Sequence, residues 1–474
     1  MKKFHVKLAL FPFLSTALLL SACGQPPVQE TGQYGGLDRT DALAQATTTT
    51  LEQRQAWLNS QQNKPAKPGI LPPVTDLRTT QPDGGRLHSQ ALNKSIPIVL
   101  VHGLAGFGRD ELLGLHYWGG VKDIQEDLRA QGYQVFTASV GPISSNWDRA
   151  AELYAQIKGG CVDYGAAHSA EHGHARTAAN KCYPGFYPEW SAQKPINLIG
   201  HSMGGPTSRL LIKLLDDGSP ANSQNGNLYT GGRSGWVKGV MSISSPNSGS
   251  PAADNLQVMI PMFKNMILAL ASGVGTLGDN FIYNFDLEQW GLKRLPTKSF
   301  QSYQNRVFNS PVWASRDQAA YDLSPDGSAR LNSLIGRSKR TIYSSWQTSA
   351  SYAGLLTGWH YPIPSMNPVM IATAYPFPRP LTPGLGNVFG TSPEGLVTYN
   401  SSWWENDGLT PTRMMDAPLG ETSTQYTGQT MTPGQWYRLG KLSGYDHLDI
   451  TGLLTTQDVT AFYRNQAAFL SSLP

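Results

Sequence analysis

Three short runs, Ile96–Val101, Pro195–Ile199 and Val237–Ile243, are mostly apolar without strict alternation, interrupted only by Asn197, Lys238 and Ser242, the pattern of strands buried on both faces. After the second run the spacing changes. Leu210, Leu211, Leu214 and Leu215 fall on one face of a helix starting near Pro206 and ended by Gly218. A longer stretch, Leu256 to Leu270, follows Ser244-Ser-Pro-Asn-Ser-Gly249 and predicts a helix rich in Met, Leu and Ile. That composition suits a buried core helix as well as a cover over an apolar groove. Strands alternating with helices predict an α/β fold with a mostly parallel central sheet flanked by helices.

The front of the chain reads differently. Met1-Lys-Lys3, the apolar Leu8–Leu20 and the closing Leu20-Ser-Ala-Cys23 have the layout of an export signal over residues 1–22. The segment resembles a bacterial lipoprotein signal, which implies lipidation of Cys23 and attachment to a membrane surface. Gln25 supplies no acidic inner-membrane retention signal, which directs the expectation to the outer membrane or cell surface. Residues 23–94 are poor in aromatics and rich in Gln, Thr, Pro, Asn and Gly, and predict a flexible tether, with a short helix at Thr50–Asn59 as its one candidate element. Residues 95–474 suffice for one large domain with insertions. The 37 Lys and Arg against 33 acids leave a net charge of +4, which gives no sign of nucleic-acid binding. Setting Cys23 aside, Cys161 and Cys182 form an even pair in an oxidising compartment, a candidate disulfide with two free thiols as the alternative.

The chemistry concentrates in Leu198-Ile-Gly-His-Ser-Met-Gly-Gly205. A serine between glycines, after a strand and before a helix, is a nucleophile elbow of the α/β-hydrolase kind. Side chains at Gly200 and Gly204 would strike the neighbouring helix and strand. Upstream, Ile96–Val101 opens into His102-Gly-Leu-Ala-Gly-Phe-Gly108, a loop that in this fold supplies one oxyanion-hole amide. The second comes from the residue after the nucleophile, so Leu104 and Met203 are the candidates. The acid and base should follow Ser202. Only His360 and His447 lie beyond it, and His447, in Gly444-Tyr-Asp-His-Leu448, is the stronger candidate base. Asp407, in the loop Trp403-Trp-Glu-Asn-Asp-Gly-Leu-Thr410, is assigned as the acid, with Glu405, Asp416 and Asp446 left open.

From Ile96 onward the chain resembles the thermophilic Bacillus and Geobacillus true lipases (bacterial lipase family I.5), with staphylococcal lipases as relatives. The matching segments include Pro97-Ile-Val-Leu-Val-His-Gly103, His116-Tyr-Trp-Gly-Gly120, Gly141-Pro-Ile-Ser-Ser-Asn-Trp-Asp-Arg149, His172-Gly-His-Ala-Arg176, Gln289-Trp-Gly-Leu292, Glu405-Asn-Asp-Gly408 and Asp446-His-Leu448. The resemblance implies Ser202, Asp407 and His447 as the triad, a lid helix in the Leu256–Leu270 region, and a structural zinc held by Asp148, His168, His174 and Asp317. His172 falls on a non-ligand position. A family calcium site maps onto the Gly358 carbonyl and Asp449, but its second acid falls on Leu454, which cannot ligate a hard cation, leaving Asp458 as a possible substitute. The activity implied is hydrolysis of triacylglycerols or other water-insoluble esters by a monomer. A short-chain carboxylesterase or polyester hydrolase, and a non-catalytic surface-binding lipoprotein, are the competing readings.

Overall fold

Seven parallel strands form the central sheet of the computed structural model: β1 (Ile98–Val101), β2 (Val135–Ala138), β3 (Ile196–His201), β4 (Val237–Ile243), β5 (Ile342–Ser349), β6 (Thr424–Gln425) and β7 (Trp436–Ser443). Their order is β6-β7-β5-β4-β3-β1-β2. The structure describes residues 69–78 and 92–474 except 110, 225, 274–282, 296 and 377–383, all within the unit Gln45–Pro474. The expected signal segment, Cys23 and the candidate helix at Thr50–Asn59 lie outside the described residues.

Both faces of the sheet are covered, which explains why the runs are mostly apolar on both sides. In β1, Ile98 and Leu100 join a core with Ile124, Leu128, Phe462 and Leu470, from α1 (Ile124–Ala130) and the C-terminal helix Thr460–Ser471. Val99 and Val101 point the other way, into a second core with Leu153, Ile157, Leu210 and Leu211. These belong to α2 (Asn146–Lys158) and α3 (Gly204–Asp217), which pack together on that face. Strand order reverses between β1 and β3, and the loops leaving the C-terminal ends of strands there form the crevice where open α/β sheets hold their ligands.

Three further features bear on the site. The stretch predicted to be helical from Leu256 is α4 (Leu256–Gly273), with Pro261 inside it. Cys161 and Cys182 are joined by a disulfide across a two-stranded hairpin, and the loop between them carries the helix Ala166–His172. A loop of that length gives a disulfide roughly 3 kcal/mol of stabilisation.

The third feature lies within the segment expected to be a tether. Residues 69–78 are not free but run along the domain as a strap. Gly69 N–H donates to Ala353 O at 2.7 Å and Thr75 N–H to Ser443 O at 2.8 Å; Ser443 N–H returns to Thr75 Oγ1, and Leu77 is buried in the core. The polar, Pro-rich composition predicted no burial, but one leucine and the unpaired edge groups of β7 are enough to hold an extended segment.

Candidate active site

Ser202 stands at the tip of β3 with φ of 54°, a left-handed conformation that lifts its side chain out of the sheet. The two elbow glycines have distinct clashes to avoid. A Cβ at Gly200 would fall 2.5 Å from the carbonyl carbon of Gly204, and one at Gly204 would run into the carbonyl oxygen of Val101 on β1. A third glycine enters from the oxyanion loop: a Cβ at Gly103 would lie 2.5 Å from the Cβ of Ser202.

Loops after β5 and β7 bring the other partners. His447 Nε2 lies 2.8 Å from Ser202 Oγ, and His447 Nδ1 lies 2.7 Å from Asp407 Oδ2. With Nδ1 carrying the proton toward the carboxylate, Nε2 is free to accept from the serine. Asp407 is fully buried and held on both oxygens. Its Oδ1 accepts the N–H groups of Leu409 and Thr410, and Oδ2 accepts the Thr348 hydroxyl at 2.8 Å.

The alternatives weighed from sequence are engaged elsewhere. His360 lies 3.1 Å from Ser351 Oγ in a hairpin, Glu405 pairs with Lys441 at 2.7 Å, and Asp416 pairs with Arg438 at 3.0 Å. Asp446 accepts the N–H groups of Asn367, Leu448 and Asp449.

Among the described residues, neither Leu104 N–H nor Met203 N–H donates to a protein acceptor. The loop bearing Leu104 is wrapped around the buried His102 ring, whose Nδ1 lies 2.9 Å from Gly103 O and whose Nε2 accepts Val140 N–H. Burial and the nearby Arg149 guanidinium push the pKa of His102 down to about 3, so it stays neutral. Arg149 reaches from α2 to donate to the carbonyls of His102 and Gly141.

Behind the triad lies a second relay that sequence reasoning did not single out. Gly103 N–H donates to Tyr117 Oη at 3.0 Å, Tyr117 Oη lies 2.6 Å from His201 Nδ1, and His201 Nε2 lies 2.9 Å from the carbonyl oxygen of His447. Consistent donor assignment gives Tyr117 O–H to Nδ1 and Nε2–H to His447 O. Burial, with His447 beside it, holds the His201 pKa well below the ordinary histidine range, which favours this neutral form. Tyr117 and His201 lay within segments quoted for the family resemblance and the elbow, but a one-dimensional motif does not say that they meet.

Over Ser202 the walls are apolar: Leu104, Pro246, Ala252, Ala253, Met259 and Leu323 leave a space of about 10 Å³. That is room for about one water. Met259 comes from α4, whose Met262, Phe263, Met266, Ile267 and Leu270 are also buried, while Leu268 is exposed. Met259 is the residue by which α4 borders the space over Ser202.

A second cluster lies beside α2. Ligand atoms of Asp148, His168, His174 and Asp317 all fall within 4.8 Å of one another. His168 Nε2 is 3.3 Å from Asp148 Oδ1 and 3.2 Å from Asp317 Oδ1; His174 Nε2 is 3.1 Å from Asp317 Oδ2. Asp148 Oδ1, both oxygens of Asp317 and both Nε2 atoms are buried without hydrogen-bond partners. Two imidazoles and two carboxylates converging with their lone pairs unmatched fit a tetrahedral divalent cation. Supports surround them: Ser145 caps α2 through Asp148 N–H, Gln289 donates to Asp148 Oδ2 at 2.8 Å, and His174 Nδ1 lies 2.9 Å from Ala175 O. His172 is outside the cluster, although its ring lies 4.6 Å from that of His168.

The calcium expectation finds no comparable gathering. Among the described residues no such group includes Asp449 or Asp458. Asp449 instead accepts the Thr455 hydroxyl at 2.5 Å and Asp446 N–H at 3.0 Å, while Asp458 pairs with Lys122 at 2.6 Å. Leu454, in the place of the expected second acid, has φ of 54°.

Comparison with known proteins gives a consistent result. The family described as lipase-like, C-terminal domain matches residues 93–472. The chain is 35% identical over 380 residues to Lipase 2 of Staphylococcus aureus, covering 77% of this chain and 51% of that protein. It therefore spans about half the length of the curated relatives it matches. Among solved structures it is similar to EstA from Clostridium botulinum, with a TM-score of 0.75 and 37% identity over 89% of this chain and 98% of that one. Lipase 1 from Pelosinus fermentans aligns with a TM-score of 0.71 and 38% identity, covering 80% and 99%.

Proposed function

Because the chain belongs to the lipase family whose C-terminal domain spans residues 93–472, we propose that it is a carboxylic ester hydrolase, a triacylglycerol lipase acting on water-insoluble esters. The observation that carries this reading is the line Ser202–His447–Asp407, at 2.8 and 2.7 Å, beneath an apolar cover.

His447 Nε2 takes the Ser202 proton as Oγ attacks the ester carbonyl. Asp407 fixes the ring and stabilises the imidazolium, and its three further hydrogen bonds keep it in place. Charge on the former carbonyl oxygen is met by the N–H groups of Leu104 and Met203. The imidazolium then protonates the leaving alcohol, and water, activated by the same imidazole, releases the acid from Ser202. Access requires α4 to move, and a lipid surface would favour its open form by receiving the methionine-rich face. Asp148, His168, His174 and Asp317 would hold zinc, which supplies a structural tie between the His-bearing loop, α2 and the Asp317 segment. The N-terminal residues support export and anchoring through Cys23.

The test compares emulsified triolein with soluble p-nitrophenyl butyrate, for the chain and for Ser202→Ala. Turnover of triolein is expected, falling by about 10⁴-fold or more in the variant. Activity on the butyrate alone would move the reading to a short-chain esterase, and full activity of the variant would sink the assignment of Ser202.

A further inference from the structure

The strap and the hairpin it crosses carry an apolar surface that the hydrolytic site does not use. Gly69 N–H bonds to Ala353 O on the hairpin Ser351–Ala353/His360–Pro362, and a Cβ at Gly69 would touch the Leu355 side chain at 3.5 Å. The hairpin tip is closed by Gly354 N–H on Trp359 O and Gly358 N–H on Gly354 O. It presents Leu355 at 75% and Leu356 at 96% exposure. Ile70, Leu71 and Val74 of the strap are at least half exposed. Single exposed leucines need no explanation, but five exposed apolar side chains on a strap and on the hairpin tip to which it is bonded do.

We propose that this surface docks the protein on a lipid–water interface, the tip leucines entering the apolar layer and Trp359 lying at its border. Three observations favour lipid over a protein partner. No Asp, Glu, Lys or Arg occurs between Arg340 and Arg379 or between Lys67 and Asp76, so the tip and the strap as far as Thr75 enter an apolar phase without desolvating a charge of their own, and the exposed pair Asp76–Arg78 beyond it stays on the water side. A protein interface of this size would carry a polar rim with charged partners. Half-buried Tyr352, Trp359 and Tyr361 flank the leucines, as amphipathic rings do at membrane borders. Finally, the hairpin packs on the helix Pro368–Ala374, which packs on α4, so the tip and the cover over Ser202 share one neighbour. The inference takes from the lipase reading only the identity of the lipid as substrate.

The experiment uses the chain from Gly24 onward, which keeps every described residue, in the Ser202→Ala form. It is floated with triolein droplets coated in phosphatidylcholine. Replacing Leu355 and Leu356 together by Ser should reduce the droplet-bound fraction about tenfold with Tm unchanged. In the Ser202 form the same pair should leave turnover of a soluble short ester within about twofold. Undiminished flotation would overturn the proposal. So would a wild-type dimer that the double variant converts to monomer while flotation persists, since the surface would then be a contact between copies. If no ester is hydrolysed yet flotation still depends on the two leucines, the lipase reading fails and the docking surface stands.

Discussion

Tyr117 and His201 show how much of the site rests on residues that do no chemistry. One phenol and one imidazole join the Gly103 loop, the strand that ends at Ser202 and the backbone of His447, the proposed base. Tyr117→Phe leaves Gly103 N–H without its acceptor and His201 Nδ1 without its donor, both buried. It should cost about 1–3 kcal/mol of stability and lower kcat for a soluble ester with little change in KM. Steady-state kinetics beside a melting curve checks both. At this scale the sequence was legible where geometry is local. Ser202 and its glycines form one contiguous turn, and the candidate base had only one competitor after it. Asp407 was harder, because four carboxylates follow Ser202 in suitable loops and only folding shows Glu405, Asp416 and Asp446 already engaged. Thr348 left no signal, and Arg149 and Tyr117 stood in matching segments that gave no hint of their partners, since a hydrogen bond across the sheet has no spacing rule.

Elements were legible where burial is symmetric. Val237–Ile243 is a strand with the bounds its apolar run predicts, and Pro195–Ile199 is extended only to His201. The Leu256 helix could not be resolved into core or cover, because a closed cover has the composition of a core helix. Its foot carries a testable group. Asp254 follows the turn Pro251–Ala253 and accepts the Tyr399 hydroxyl at 2.5 Å; burial pushes its pKa up to about 7, against that hydrogen bond. Between about pH 4, where the unfolded carboxyl ionises, and pH 7, the folded state holds a proton that the unfolded state has released. The stability contributed by this group is therefore full in acid and lost as pH rises toward 7. The Tm of the chain relative to Asp254→Asn should fall across that window and level off above it. A constant difference from pH 4 to 8 would contradict the assignment.

For the whole molecule, the expected boundary at residue 95 leaves out a segment that is bonded to the domain. Cutting at residue 95 would remove the strap, with Leu77 and its hydrogen bonds to Ser443, so a chain starting at Leu92 should melt several degrees below one starting at Gly24. Stripping metal with a chelator should likewise lower Tm while leaving Ser202, His447 and Asp407 in register. A melting curve unaffected by chelator, with no zinc found by elemental analysis, would remove the ion from the description. The strap also sets a timetable. Thr75 closes on Ser443, 368 residues later, and Ser202 waits for His447, 245 residues later. During synthesis, then, neither the clasp nor the proposed nucleophile and base can be brought together before residues 443 and 447 have been made. On the proposed reading, a chain that has not yet reached His447 hydrolyses nothing, so activity is withheld while the chain is being made without any separate inhibitor.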